Sequence, residues 1–427
     1  MISRRTASSG AEMEGEEGLR SAPMHPGFRA AFNAAFVPAL ASAYAQDLAR
    51  RAGSEPGFRL AETPVFLTAE LAAALADGAR AIVAQLSRPE ALLRMKKAIP
   101  ARWAAPGMDA LPSLAQVDFA IVKGKDGHLV PRLIELQGFP SLSAFEVLQS
   151  DAWNEALGRV DGLPKATWSP YFSDLSRDDF LALLRRTILG DADPEEVILL
   201  DLDPPEQKTA IDLSATRSLL GVDAVDPRSL VKGGARLFRV KDGRRVPVKR
   251  IYNRVVFDEL IKRDLELPFD FRDDLDVKWV PHPNWYWTWS KYSLPLLRHE
   301  TVPKSTYLSE LGAVPKDLTE RYVLKPLFSF AGGGVNVDPK PEDLARIPES
   351  ERGSWCLQEK IAYDPCLLAV DGGGVKVEVR MMFFRPDADE APTLGLNLCR
   401  LSRGKMLGVD FNKDLTWVGS SVALKPA

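Results

Sequence analysis

The segment RYVLKPLFSFAGGGVNV, residues 321–337, constrains the fold of this chain more than any other part of its sequence. An extended run that carries Lys325 leads into three consecutive glycines, Gly332, Gly333 and Gly334, and a second extended run follows. Because glycine has no Cβ atom, such a turn lets backbone N–H groups close around phosphate oxygens, and a neighbouring lysine adds positive charge. A loose hairpin turn beside a surface lysine has the same sequence pattern, so the glycines leave both interpretations open.

The composition excludes several classes of protein. Of the 427 residues, 45% are hydrophobic and 26% are charged, as in ordinary globular domains. This length predicts two or three units of about 150 residues each. The 55 basic and 58 acidic residues give a formal net charge of −3, whereas proteins that coat nucleic acids or membranes have a basic excess. We therefore expect neither a nucleic-acid nor a membrane partner.

The cysteines and one apolar stretch bear on the cellular compartment. Cys356, Cys366 and Cys399 contain no CxxC pair, which favours a reducing environment over a disulfide framework. The apolar stretch at residues 30–46 follows the acidic segment EMEGEEG and is interrupted by polar residues, so we interpret it as a helix rather than an export signal. The expected location is the cytoplasm.

The pattern of elements divides the chain into five regions. Alanine- and leucine-rich stretches with helical spacing come first, and VDFAIVKGKDGHLVPRLIELQ then predicts two strands around a Gly-Lys-Asp-Gly turn. A strand at 197–203, a helix at 206–220 and a strand near 222–225 predict a small α/β unit with parallel pairing, and a hairpin follows. The predicted regions are a flexible tail (1–22), a helical region (23–110), a two-strand region (111–165), a small α/β unit (166–290) and a strand-rich region (291–427).

A second motif follows the glycines. WCLQEKIAYDP, residues 355–365, begins as an extended run and contains Gln358, Glu359 and Ile361. The order of a strand lysine, a glycine loop and a Q-E-x-I segment resembles the ATP-grasp superfamily. The resemblance implies that ATP is bound, with Lys325 and the three glycines on its triphosphate and the Q-E-x-I segment beside its adenine. Backbone groups of Glu359 and Ile361 would face the adenine edge.

Candidate metal ligands come early in the chain. Asp118 lies in VDFAIV, and Glu135 and Gln137 lie in LIELQGFPSLSAFE, two residues apart and therefore on one face of a strand. Magnesium prefers such oxygen ligands, although Glu135 also fits a solvent-facing strand carboxylate. The early placement resembles permuted ATP-grasp ligases, in particular the amide-ligase domain of glutathionylspermidine synthetase. The chain departs from that pattern because Gln137 replaces an asparagine, a second aspartate is absent and Gln116 replaces an arginine.

Four further basic residues lie at positions that match this family. Lys291 resembles its first nucleotide lysine, and Arg254 resembles its Y-R-R element. Arg380 shares a strand face with Glu378, and Arg400 suits a phosphoryl group or a substrate carboxylate. The resemblance implies catalytic roles for Arg254, Arg380 and Arg400, whereas any one of these residues taken alone is more often an ordinary solvated charge.

The resemblance implies an α+β or α/β chain with an ATP-grasp fold in permuted order, an N-terminal helical region and a small α/β subdomain. It also implies a carboxylate–amine ligase that uses ATP and Mg²⁺. A small-molecule acid would become an acyl phosphate, and an amine, including that of a peptide, would displace phosphate. A phosphotransferase acting on a hydroxyl and a non-catalytic nucleotide-binding protein remain alternatives. The aromatic segment 285–289 is explained either by packing or as a substrate wall.

Overall fold

The computed structural model describes residues 24–139, 141–164, 166–328, 333–404, 412 and 414–427. The predicted tail at 1–22 and Gly332 therefore lie outside the described residues. The α-helices in the described part are α1 Pro26–Ala35, α2 Pro38–Ala52, α3 Ala69–Leu86, α4 Pro89–Met95, α5 Ser143–Gly158, α6 Arg177–Leu189, α7 Ala210–Leu220, α8 Phe257–Arg263, α9 Trp285–Thr288, α10 Leu318–Arg321 and α11 Pro341–Ala345. The strands there are β1 Val65–Phe66, β2 Leu114–Lys123, β3 Leu129–Gln137, β4 Trp168–Ser169, β5 Val197–Leu200, β6 Asp223–Val225, β7 Val231–Gly233, β8 Arg236–Lys241, β9 Arg244–Val248, β10 Arg250–Asn253, β11 Lys278–Val280, β12 Ser305–Tyr307, β13 Tyr322–Pro326, β14 Trp355–Glu359, β15 Leu367–Leu368, β16 Gly374–Phe384, β17 Thr393–Ser402, β18 Gly419–Ser421 and β19 Ala423–Pro426.

A central antiparallel sheet organises the molecule, with the strand order β18–β17–β16–β2–β3 and the short β15 also paired to β16. The two strands predicted around the Gly-Lys-Asp-Gly turn are confirmed as β2 and β3, which pair antiparallel. Side chains alternate between the two faces of a strand, so each strand contributes one apolar and one polar row. In β16, Val375, Val377 and Val379 are fully buried in the largest apolar core. Glu378 and Arg380 therefore lie on the opposite face, as the alternation predicted.

Helices from the N-terminal part of the chain cover the apolar face. Leu71 and Leu75 of α3 and Trp153 of α5 belong to the same buried core as Phe119 of the central sheet. The helical pattern predicted before residue 110 is thus observed, and these helices share a core with the sheet. In the described part of the chain, no helix has both the length and the apolar character needed to cross a bilayer.

The small α/β unit contains a parallel sheet with the strand order β11–β10–β5–β6. The parallel pairing predicted for β5 and β6 is confirmed. The predicted hairpin is confirmed only for β8 and β9. Its second arm was expected to continue through residues 250–257, and that part was wrong. Arg250–Asn253 forms β10, whose residues are all buried between β5 and β11, because burial on both sides favours a central strand over a hairpin arm.

A third sheet contains the strand that precedes the three glycines. Its order is β12–β14–β13, with antiparallel pairing throughout. Lys325 lies on β13, as predicted, but the extended run expected after the glycines is reduced to a single bridge between Leu324 and Asn336. Their two backbone N–H···O bonds, each 2.9 Å, hold the returning chain against β13.

Candidate functional site

Seven charged side chains meet where the polar face of the central sheet approaches the third sheet. The two sheets are linked directly, because Lys325 on β13 donates a hydrogen bond of 3.2 Å to the Ile134 carbonyl on β3. Within the central sheet, strand pairing places Asp118 opposite Glu135 on one neighbouring strand and opposite Arg380 on the other. It also places Glu378 opposite Arg400. We call this group the charged cluster: Asp118, Glu135, Lys291, Lys325, Glu378, Arg380 and Arg400.

Asp118 is enclosed by two arginines. Arg380 donates through Nε and one Nη to the two carboxylate oxygens, both at 2.8 Å, and Arg400 donates to Oδ2 at 2.8 Å. Asp118 and Arg380 are buried, whereas the Arg400 side chain is 37% exposed. Bidentate arginine–carboxylate pairs are strong and directional, so Asp118 fixes the orientation of Arg380 and leaves Arg400 as the guanidinium that reaches solvent.

Glu135 and Gln137 converge, as their spacing predicted. The Gln137 amide nitrogen donates to Glu135 at 2.8 Å and to Asp118 at 3.3 Å. The Lys291 ammonium, at the start of a 3₁₀ turn (Lys291–Leu296), lies 3.2 Å from Glu135. Burial raises the pKa of the Glu135 carboxyl, but the opposing charges of Lys291 and Arg400 prevail and lower it to about 2. Glu135 is therefore ionised at any physiological pH.

Glu378 and Tyr363 also belong to this site, although no role was predicted for them from the sequence. Glu378 lies 2.9 Å from Arg400 and accepts a hydrogen bond of 2.7 Å from the Tyr363 hydroxyl. Burial raises the pKa of Glu378, and Arg400 partly offsets this effect. The alternation of VKVEVRMMFF already placed Glu378 beside Arg380, so its role was accessible from sequence, whereas that of Tyr363 was not.

Lys325 is buried and held by Gln358. Its ammonium donates to the Gln358 side-chain oxygen at 2.5 Å, which brings together two residues predicted to bind nucleotide. Burial lowers the pKa of Lys325. Gly334, with φ at +72°, lies against Pro326, the residue that follows Lys325 at the end of β13. Gly333 is described, and its predicted role stays a prediction.

The other two residues predicted to contact adenine are Glu359, at the end of β14, and Ile361, which follows that strand. The Glu359 backbone N–H, expected to face an adenine edge, donates to the Lys304 carbonyl at 2.9 Å. The Glu359 side chain lies 3.5 Å from Arg321. Ile361 is half-buried in the irregular segment that follows β14. The predicted contacts of Glu359 and Ile361 with adenine stay predictions.

Arg254 lies apart from the contacts that join the charged cluster. It forms a buried ion pair with Asp212 and donates to the Thr209 hydroxyl at 3.0 Å. Asp212 accepts the backbone N–H groups of Leu142 and Phe145, each at 3.0 Å, at the start of α5. Arg254 therefore stabilises the carboxylate that caps this helix, and its predicted catalytic role stays a prediction.

The predicted magnesium ligands do not suit the ion as they are arranged. Both Asp118 oxygens accept from guanidinium groups, and Gln137 turns its amide nitrogen, not its oxygen, toward the two carboxylates. Glu135 is paired with Lys291. Within the residues that the structure describes, no three His, Cys, Asp or Glu side chains are grouped so that they could hold a metal ion. Magnesium binding stays a prediction, and the present hydrogen bonds of these three side chains do not favour it.

An aromatic-walled cavity of about 30 Å³ adjoins Glu135 and Lys291, lined also by Phe139, Tyr286 and Phe328. This volume holds about one water molecule. The neighbouring Trp285 and Trp289 are fully buried in the core, and Tyr286 and Trp287 lie in the core of the α/β unit. Packing therefore accounts for the aromatic segment, and Tyr286 and Trp289 additionally line this cavity.

The fold is that of a mixed α+β protein similar to a glutathione synthetase-like structure. No protein-family model matches the chain, and no curated protein matches it in sequence. Among solved structures, a glutathione synthetase-like effector from Globodera pallida in its apo form is similar, with a TM-score of 0.50 and 12% sequence identity. The similarity covers 92% of this chain and 98% of that chain. At this identity it concerns the overall fold and carries no residue assignments.

Proposed function

We propose that the protein is an ATP-dependent ligase that joins a small-molecule carboxylate to an amine and releases ADP and phosphate. The charged cluster between the central and third sheets is the observation that carries this proposal. Phosphoryl transfer depends mainly on positioning and on neutralising negative charge, and four buried or half-buried cations supply both. The permuted ATP-grasp resemblance and the fold shared with a glutathione synthetase-like protein support the same class of reaction.

The cations have different roles in this mechanism. Lys325 and Lys291 would bind the phosphates, with Lys325 held in place by Gln358. Arg400, the more exposed arginine, would contact the phosphoryl group or the substrate carboxylate, while the buried Arg380 acts as a positioning residue through Asp118. A carboxylate oxygen of the acid attacks the γ-phosphorus and ADP leaves. The amine nitrogen then attacks the acyl carbon, loses a proton and displaces phosphate.

ADP formation and hydroxamate trapping test the proposal. The protein is incubated with ATP, magnesium, a panel of small carboxylic acids and hydroxylamine, which captures an acyl phosphate as a hydroxamate. We expect ADP and hydroxamate with at least one acid, and loss of both in Lys325→Met. Asp371→Asn, which removes a carboxylate that pairs with Arg403 at 2.8 Å outside the cluster, is the matched control and retains turnover. ADP with a stable phosphorylated product and no hydroxamate would identify a phosphotransferase instead.

A non-catalytic nucleotide-binding protein is the second candidate, and a specific observation favours it. Each of the three carboxylates in the charged cluster already has a cationic partner from the chain itself. Such a site would bind a nucleotide without turning it over. Nucleotide binding by calorimetry in the absence of ADP release, across the whole acid panel, would support this candidate over the ligase.

A further inference from the structure

We infer that the charged cluster binds the phosphate groups of its ligand with the chain's own cations, without a divalent metal ion. The inference rests on the proposed function for the class of ligand, a phosphate-bearing nucleotide. It goes beyond that function by assigning the charge neutralisation to lysine and arginine. The arrangement of the donors and acceptors in the cluster carries the argument.

Both oxygens of the Asp118 carboxylate already accept hydrogen bonds from arginine. Oδ1 accepts from Arg380, and Oδ2 accepts from Arg380, Arg400 and, at 3.3 Å, Gln137. A magnesium ion at this carboxylate would have to share these oxygens with a buried bidentate arginine or displace it. Removing one partner from a buried ion pair leaves an uncompensated charge and is strongly unfavourable.

The orientation of the Gln137 amide also disfavours a metal ion. Its amide nitrogen donates to Glu135 and Asp118, so the orientation of the amide is set by two carboxylates. Turning the amide to offer its oxygen would direct that oxygen toward two negative groups. A metal ion that bridged Glu135 and Gln137 would therefore break the hydrogen bonds that now hold both side chains.

The remaining donors suit an oxygen-rich anion. Four cationic side chains face three carboxylates in the cluster. Within the charged cluster and its neighbour Gln358, two buried N–H donors have no acceptor among the described residues: Gln358 Nε2, on a side chain that is 1% exposed, and Arg400 Nε. One acceptor, Gln137 Oε1, is likewise unmatched and suits a hydroxyl or a water molecule. Unpaired buried donors beside excess positive charge are satisfied by phosphate oxygens.

Glu135 has a distinct role in this arrangement. Its carboxylate forms an ion pair of 3.2 Å with the Lys291 ammonium. A phosphate oxygen that binds Lys291 must therefore compete with the Glu135 carboxylate. If Glu135 were instead a metal ligand, its loss would weaken the binding of a magnesium–nucleotide complex.

Calorimetric titration with ATP and with inorganic tripolyphosphate, in EDTA and in magnesium, separates these possibilities. We expect ATP to bind at least as tightly in EDTA as in magnesium, and Glu135→Gln to tighten binding in EDTA by about threefold or more, since a competing charge is removed. The matched control Glu155→Gln, which removes a surface carboxylate paired with Arg51 and Arg159, should leave both affinities unchanged. Thermal melts verify that each variant is folded.

The outcomes distinguish this inference from the proposed function. Binding that requires magnesium, or that Glu135→Gln abolishes, overturns the inference and leaves the ligase proposal standing. Metal-independent binding without ADP formation for any acid supports the inference and overturns the ligase proposal. If neither ATP nor tripolyphosphate binds under either condition, the cluster is an ion network between two sheets and both proposals fail.

Discussion

The proposed contact between the buried Lys325 and phosphate predicts that ligand affinity depends on pH. Burial lowers the pKa of Lys325, so this ammonium loses its proton at a lower pH than an exposed lysine would, which titrates near about 10.4. Only the protonated form attracts phosphate, so we expect ATP affinity to fall as pH rises, beginning below the range in which an exposed lysine loses its proton. Lys325→Arg stays charged over this range and should show a flatter profile. Calorimetry at several pH values measures the difference, and superimposable profiles would contradict the assignment.

At the scale of single residues, the sequence predicted shared faces but not the partners across strands. The spacing of Glu135 and Gln137 placed them together, and their side chains do form a hydrogen bond. The pairing of Asp118 with Arg380 joins residues 262 positions apart, and no local pattern specifies which strands become neighbours. The three predicted metal ligands therefore lie together, whereas the hydrogen bonds from arginine to Asp118 could not be predicted from the sequence.

Among the elements, α5 depends on a buried ion pair from the α/β unit. Asp212 caps its first turn, and Arg254 neutralises Asp212. Arg254→Met should lower the free energy of unfolding by about 3 kcal/mol, because a charge remains buried without its partner. The double variant with Asp212→Asn should recover part of this loss, which urea denaturation measures. Unchanged stability with abolished turnover would instead place Arg254 in the chemistry.

The turn after β13 depends on a glycine in the left-handed region. Gly334 has φ at +72°, and a Cβ atom there would lie 3.1 Å from Pro326 Cγ. Gly334→Ala should therefore destabilise the protein by about 1 kcal/mol or more. Gly312, which has open space around it and no positive φ, provides the control, since Gly312→Ala should be neutral. Equal melting temperatures for both variants would show that the turn adapts without strain.

The elements also show where pattern analysis fails. Alternation and turn residues correctly gave β2 and β3, the β8–β9 hairpin and the parallel β5–β6 pair. β10 was assigned to the hairpin because its sequence continues from β9 without a turn signal. Its place between β5 and β11 is determined by long-range burial, which a local pattern does not contain.

For the whole molecule, two sheets meeting at a charged interface define the site. The overall fold is similar to that of a glutathione synthetase-like effector, and the ATP-grasp arrangement stays a prediction from the sequence resemblance. The permuted order stays a prediction. The N-terminal helices had no recognisable motif, yet they share the core with the central sheet. A helix that buries an apolar stripe gives no sequence signal of the face it packs against, so this packing could not be predicted.

A crystal structure of the protein with a non-hydrolysable ATP analogue would show directly whether the charged cluster binds triphosphate. We expect the triphosphate between the central and third sheets, with phosphate oxygens within hydrogen-bond distance of Lys325 and Lys291. The Lys291–Glu135 pair should be broken, and Arg380 should still hold Asp118. A nucleotide bound elsewhere, or a charged cluster whose ion pairs are unchanged at saturating analogue, would contradict the account.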